Sequence, residues 1–230
     1  ALLGPHAVPG GGIVIRAFVP HAEAVQVLDS AGAMHELHRR QDALFEGLLP
    51  RAQLSFAYRL RAHNAGGTWD IEDPYRFGPT LGALDDYLLV EGTHRRLHQR
   101  LGAHPATHEG VAGTRFAVWA PKAARVSLVG QFNDWDGRAC PMRKRLDSGL
   151  WELFLPGIGP GAAYKFEILS RDGQVQPLKA DPFGRAAELR PSTASLVAAD
   201  DPFIWNDASF LAARSRKQSR CAPISIYEVH

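Results

Sequence analysis

The chain is written twice. IRAFVP at 15–20 lies over FAVWAP at 116–121 with an offset of 101, and VQVL at 25–28 lies over VSLV at 126–129 with the same offset. FEGLLP at 45–50 then matches WELFLP at 151–156, and Tyr58-Arg59-Leu60 matches Tyr164-Lys165-Phe166, both at 106. Asp73-Pro74-Tyr75 meets Asp181-Pro182-Phe183 at 108. Self-similarity at a fixed period means two copies of one folding unit, each with its own core. The drift in offset puts extra residues into the turns of the second copy, where insertion costs least.

Each matched run is short, rich in β-branched and aromatic side chains, and bounded by proline or glycine, which is the pattern of strands. Alternation assigns their faces. Phe116 and Val118 share one face of their strand, Ala117 and Trp119 the other. Both are apolar, so cover is expected on both sides, from the strand's own core and from a neighbouring domain. Arg16 stands where the second copy has Ala117, which predicts a wetter face in the first copy. Trp151, Leu153, Leu155, Tyr164, Phe166 and Ile168 read inward, Lys165 and Glu167 outward. Glycine (22) and proline (16) are plentiful enough for many short strands joined by turns.

The predicted architecture is mainly β: two tandem immunoglobulin-like β-sandwiches, over 1–80 and 106–199, joined by a short helical linker over 81–105. In the linker Glu91-Gly92 interrupts the helix, Thr93 caps a new one over 94–101, and Gly102 supplies a left-handed stop. Residues 200–230 read as a polar connector followed by one apolar strand. The chain opens without methionine and closes inside that apolar run, so it reads as a piece of something longer.

Several function classes are excluded at this level. A net charge of +2 implies no polyanionic partner, and the basic run at 94–100 is broken by Leu97, as on a solvated helix face. No apolar run approaches the ~20 residues that cross a bilayer. Cys140 and Cys221 make no disulfide framework, and a reduced pair in the cytoplasm is the expectation. No metal-ligand spacing, nucleophile elbow or phosphate loop is present, and Asp85-Asp86 are adjacent carboxylates that point apart. No catalytic residue, metal or cofactor is expected in these residues.

FAVWAP at 116–121, the turn FNDWDG at 132–137 and YKFEI at 164–168 resemble carbohydrate-binding module family 48, a sandwich found ahead of family 13 glycoside hydrolase barrels. EGTHRRLHQRLGAHPATHEGVAGTRFAVWAP at 91–121 is similar to the bacterial glycogen branching enzymes, and ISIYEVH at 224–230 to the first strand of their (β/α)8 barrel. The resemblance implies a parent enzyme that cleaves α-1,4-glucan and transfers the chain to a 6-hydroxyl with retention, its paired carboxylates lying on later barrel strands. It also makes Trp135 and Lys165 glucan-contact residues.

An indole offers a broad apolar face to a sugar ring, while Lys165 and Asn133 supply hydrogen-bonding groups at its rim. The other reading of Trp135 folds it onto the sandwich edge or the barrel. Trp119 and Trp205 are expected to face that barrel. Binding members of the family carry a second tryptophan after a DG turn; here Asp172-Gly173 is followed by Gln174-Val175-Gln176, which predicts weak glucan affinity. The rival readings are a stand-alone glycogen-binding module and the front of a debranching or trehalose-forming hydrolase. The linker sequence favours branching.

Overall fold

A computed structural model of the chain describes residues 2–50, 56–145, 148–200 and 204–229. They fall into two compact units, Ala1–Ala199 and Asp200–His230. The first copy contributes β1 (Gly4–Ala7), β2 (Ile13–Phe18), β3 (Ala24–Asp29), β4 (Met34–Gln41), β5 (Leu44–Leu49), β6 (Tyr58–Asn64) and β7 (Gly67–Ile71). They form one antiparallel ladder in the order β1-β2-β5-β4-β3-β6-β7. Residues 34–37 of β4 pair with β3 and 38–41 with β5, so this strand passes from one sheet to the other and curls the ladder around a core. Ile13, Ile15, Val25, Val27, Phe45 and Leu60 fill that core.

After helix α1 (Ala83–Glu91) come β8 (Gly102–His108), β9 (Val111–Trp119), β10 (Ala123–Gly130), β11 (Arg143–Lys144), β12 (Leu150–Pro156), β13 (Ala163–Ser170), β14 (Ala186–Ala187) and β15 (Ser195–Leu196). They make two four-stranded sheets, β11-β12-β9-β8 and β10-β13-β15-β14. Register follows the repeat. Ile15 faces Gly47 as Phe116 faces Leu153, and Val27 faces Leu60 as Leu128 faces Phe166. The inward set predicted from alternation, including Trp151, Leu155, Tyr164 and Ile168, packs into the second core.

The sheet-crossing strand is also repeated. Leu128 N–H donates to Cys140 O (2.9 Å) and Met142 N–H to Val126 O (2.8 Å), after which Arg143 and Lys144 pair with β12 in the other sheet. Gln26 faces Glu36 ten residues later, whereas Ser127 faces Pro141 fourteen residues later. Four of the extra residues in the second copy therefore lie in the loop that carries Trp135.

Each sandwich is closed by the same buried polar pair. Tyr58 donates to Asp73 Oδ2 (2.5 Å), whose Oδ1 accepts the Tyr75 N–H (2.9 Å). Tyr164 donates to Asp181 Oδ2 (2.7 Å), whose Oδ1 accepts the Phe183 N–H (2.8 Å). Burial raises the pKa of both aspartates above the ordinary carboxylate value and that of both tyrosines as well. Burying such groups is tolerable only with hydrogen-bond partners in place. Tyr75 also joins the two copies. Its ring lies in the second core, its hydroxyl donates to Pro141 O (2.9 Å), and the Arg143 guanidinium donates to Tyr75 O and Phe77 O.

The linker differs from its prediction in three ways. First, α1 ends at Gly92, which is left-handed (φ 78°), and the expected helix over 94–101 is only a 3₁₀ turn, Leu97–Gln99. The segment is too short to propagate a helix alone, and Asp85 draws both His94 Nε2 (3.1 Å) and Arg100 Nε (3.0 Å) to itself. Second, Thr93 caps nothing, because its hydroxyl donates to Glu91 (2.9 Å). Third, Gly102 (φ 97°) opens β8 rather than stopping a helix, and a Cβ there would collide with the Phe183 carbonyl.

Over the second face of β9, Leu81 and Leu101 of the linker and Leu150 of β12 close over Ala117, with Leu89 and Leu97 beside them, while Trp119 at the end of that face stays exposed. In the first copy Arg16 pairs with Glu46 on the matching face (2.6 Å), as its wetter reading required. Glu152, the counterpart of Glu46, is buried and accepts Thr80 N–H (2.8 Å), Thr80 Oγ1–H (2.7 Å) and Leu81 N–H (3.0 Å). Arg145 binds Glu152 Oε1 (2.7 Å) and forks onto Asp86, clamping α1 to β12.

In the second unit, the predicted connector contains helix α2 (Ala208–Lys217), whose last turn carries Arg214, Arg216 and Lys217 where the helix dipole favours cations. Residues 224–229, expected as a strand, join no ladder among the described residues, and His230 lies outside them. A strand exists only against a neighbour that takes up its backbone groups. No helix among the described residues is long and apolar enough to cross a membrane.

Tyr164→Phe leaves Asp181 without its hydroxyl donor and is expected to cost about 1–3 kcal/mol in chemical denaturation, with Tyr58→Phe costing a similar amount through Asp73. Arg145→Ala strands buried Glu152 and should cost about 3 kcal/mol. The Arg145 hydrogen bond holds the pKa of Asp86 below 3.8. Its stabilisation is therefore whole above that value and is lost as pH falls through the lower folded-state pKa. Hydrogen exchange of α1 should accelerate in that acid window.

Candidate functional site

The loop carrying Trp135 leaves β10 through a 3₁₀ turn, Gln131–Asn133. Asp134 (φ 53°) and Trp135 (φ 59°) then both adopt left-handed backbone. Aspartate tolerates that region, but a bulky ring enters it only when its surroundings force the conformation. The force comes from Asn133. Its Oδ1 accepts Gly130 N–H (2.9 Å), its Nδ2 donates to Leu128 O (2.9 Å), and Trp135 N–H donates to Gly130 O (2.9 Å). The result is a tryptophan that, as a residue, stays 36% exposed. Asn133, read from sequence as a rim group for a ligand, has both ends of its amide engaged inside the turn.

Farther along the loop, Gly137 lies against the Glu167 carboxylate, so closely that a Cβ would collide with it. Glu167 is paired with Arg125 on the outer face of β13. Lys165 stands two residues away on the same face, opposite Val129 at the end of β10. The loop of Trp135 and the ammonium of Lys165 thus belong to one end of one sheet.

A third element reaches that end. Ala187 pairs with Ser195, and Ser195 with Tyr164. The hairpin tip at 188–194 is closed by Glu188 N–H to Ala194 O (3.0 Å) and Ala194 N–H to Glu188 Oε2 (2.9 Å). From this tip Thr193 accepts the Lys165 ammonium at 2.6 Å, and Leu189 stands 90% exposed. Sequence reading missed Thr193 and Leu189. Neither sits in a repeat match, and only the pairing of β15 with β13 brings them to Lys165. The DG turn has Gly173 left-handed (φ 84°) and is followed by exposed Val175 where an aromatic would extend the surface.

Trp119 shares the Ala117 face but stands beyond the linker cover, 55% exposed, with Nε1 donating to Ser148 O (3.0 Å). Trp205 lies exposed in the second unit. Cys140 packs under the Trp135 loop, and burial pushes its thiol up to about 11, so it stays protonated near neutrality.

An exposed tryptophan on one loop and a lysine bonded to a threonine, at one end of one sheet of a β-sandwich, have the make-up of a carbohydrate-binding module. Residues 100–184 match the family described as Carbohydrate-binding module 48 (Isoamylase N-terminal domain). Residues 1–75 match the family described as alpha-1,4-glucan branching enzyme GlgB, N-terminal domain. Proteins named 1,4-alpha-glucan branching enzyme GlgB from Paramagnetospirillum magneticum and Pseudomonas aeruginosa are each 52% identical over the whole of this chain, which covers 31% and 32% of them. The one from Roseobacter denitrificans is 50% identical, with 32% of its length covered. Over its whole length the chain is similar to these branching enzymes, matching an N-terminal domain of theirs over residues 1–75, and it spans about a third of their length.

Asn133→Ala should unsettle the turn at a cost of about 1–3 kcal/mol in chemical denaturation. Trp135→Ala, at an exposed left-handed position, should change stability by less than about 1 kcal/mol.

Proposed function

We propose that this chain is the leading part of a glycogen branching enzyme, which cleaves an α-1,4-glucan chain and passes it to a 6-hydroxyl to form an α-1,6 branch. Its own work is to hold glucan at one surface and to seat the catalytic barrel at another. We divide it into a first sandwich (1–80), a linker (81–105), the family 48 module (106–199) and a connector leading into the barrel (200–230). Trp119 and Trp205 are assigned to the barrel side. The protein acts in the cytoplasm on glycogen and amylose-like chains, with no cofactor, nucleic acid or membrane involved.

The observation that carries the glucan reading is exposed Trp135, held in left-handed backbone on the loop leaving β10 at the sheet end where Lys165 bonds Thr193. The indole receives the C–H face of a glucose ring, where burial of apolar area supplies most of the contact energy. An ammonium has three donors. Thr193 takes one from Lys165, leaving the others for sugar hydroxyls. Leu189 forms an apolar rim and Asn133 holds the turn rather than the ligand. One platform instead of two makes the affinity weak.

The branching reaction needs two carboxyl groups about 5 Å apart around the glycosidic bond, and we assign none here. The chain alone is therefore inactive in an iodine-stain assay on amylose, and a time-dependent spectral shift with the purified chain would overturn this. Affinity electrophoresis tests the binding. The chain should be retarded in a glycogen gel, Trp135→Ala should abolish the retardation and Lys165→Ala should reduce it. Migration identical with and without glycogen would sink the glucan reading. A stand-alone glycogen-binding module would bind alike, but relatives three times longer favour the enzyme.

A further inference from the structure

Helix α1 is built inside out. A helix at a protein surface normally turns its apolar side inward and its charges to water. In α1 the charges point in: Asp85 meets His94 and Arg100, while Asp86 meets Arg145 and Ser148 Oγ (2.7 Å). Leu84, Tyr87 and Val90, spaced three apart and so on one side of the helix, stand 67%, 60% and 63% exposed. Buried carboxylates require matched partners, and these have them. From α1, Leu89 packs against the cluster over Ala117.

Ser148, which binds Asp86 through its hydroxyl, accepts the Trp119 indole N–H through its carbonyl. Trp119 is thereby fixed one residue away from the α1 clamp with its ring open. Exposed apolar side chains held in place by ion pairs beneath them, with the Tyr87 hydroxyl donating to Glu91 at one edge (3.2 Å), mark an interaction site.

The geometry points to the outer face of α1, Leu84, Tyr87 and Val90 together with Trp119, as the seat of the two thirds of the relatives' length that this chain leaves uncovered, the catalytic region. The relatives match this chain from end to end, and residues 1–75 match an N-terminal domain family, so the uncovered length supplies a partner within the same polypeptide. The clamp through Arg145 and Glu152 makes the seat rigid with respect to the family 48 sandwich. This inference rests on reading the chain as the leading part of a branching enzyme, and is independent of glucan binding at Trp135.

Hydroxyl-radical footprinting with mass spectrometry tests it, comparing this chain with the longer gene product that continues beyond residue 230. Labelling of Leu84, Tyr87, Val90 and Trp119 should be severalfold lower in the longer product, with Leu189 unchanged as the internal control. Tyr87→Glu in the longer product should restore labelling of Leu84 and Val90, while leaving the melting temperature of the 230-residue chain unchanged. Equal labelling in a product that does continue into a barrel overturns the inference alone. A continuation that is no barrel overturns the reading on which it rests. Sedimentation showing a concentration-dependent dimer of the 230-residue chain that Tyr87→Glu dissolves would give the seat to a second copy and overturn it as well.

Discussion

A tyrosine hydroxyl handed to a buried aspartate, made once in each copy, is the constraint from which the rest of the first unit is set. Tyr58 and Tyr164 begin matching strands, and Asp73 and Asp181 begin matching segments that leave the sandwich. Each aspartate spends its second oxygen on the backbone two residues ahead, so the same carboxylate fixes the end of the sheet and the direction of the departing chain. In the first copy that direction carries Tyr75 into the second core. In the second copy it carries Phe183 under the linker. Without donors on both oxygens, a carboxylate this far from water would be too costly to keep.

Divergence between the copies follows from single positions on that shared frame. Arg16 against Glu46 makes a solvated ion pair, while Ala117 against Glu152 makes room for Leu81 and Leu101 and turns the carboxylate onto the backbone of the linker. The tight turn after β3 uses Asp29 to bind Ala31 and Ala33, whereas the longer turn after β10 uses Asn133 to bind Gly130 N–H and Leu128 O and to display an indole.

Much of this was legible in the sequence. The repeat predicted two copies of one β-unit, the facing of their strands and extra residues in the turns of the second copy, because β-branched and aromatic runs that recur with a nearly fixed offset must bury matching faces. The linker was less legible. Its polar residues are spent on contacts distant in sequence, Asp86 with Arg145 and Asp85 with Arg100, and local helix signals at Thr93 and Gly102 gave way to them. Residues 224–229 illustrate the same limit, since a strand-like composition yields a strand only beside another strand. At the candidate site, Trp135 and Lys165 stood out by residue type, whereas Thr193 and Leu189 arrive through the β15 pairing. The second role of Asn133 was visible only once its amide was seen to be occupied at both ends.

The strand that crosses between sheets has a consequence of its own. Because it hands off from one ladder to the other immediately after the hairpin, any lengthening of that hairpin is absorbed before the next register begins. The four added residues around Trp135 displace no core contact, and β12 and β13 pair as β5 and β6 do without them. A scaffold wired in this way can exchange one recognition loop for another while its foundations stay where they are.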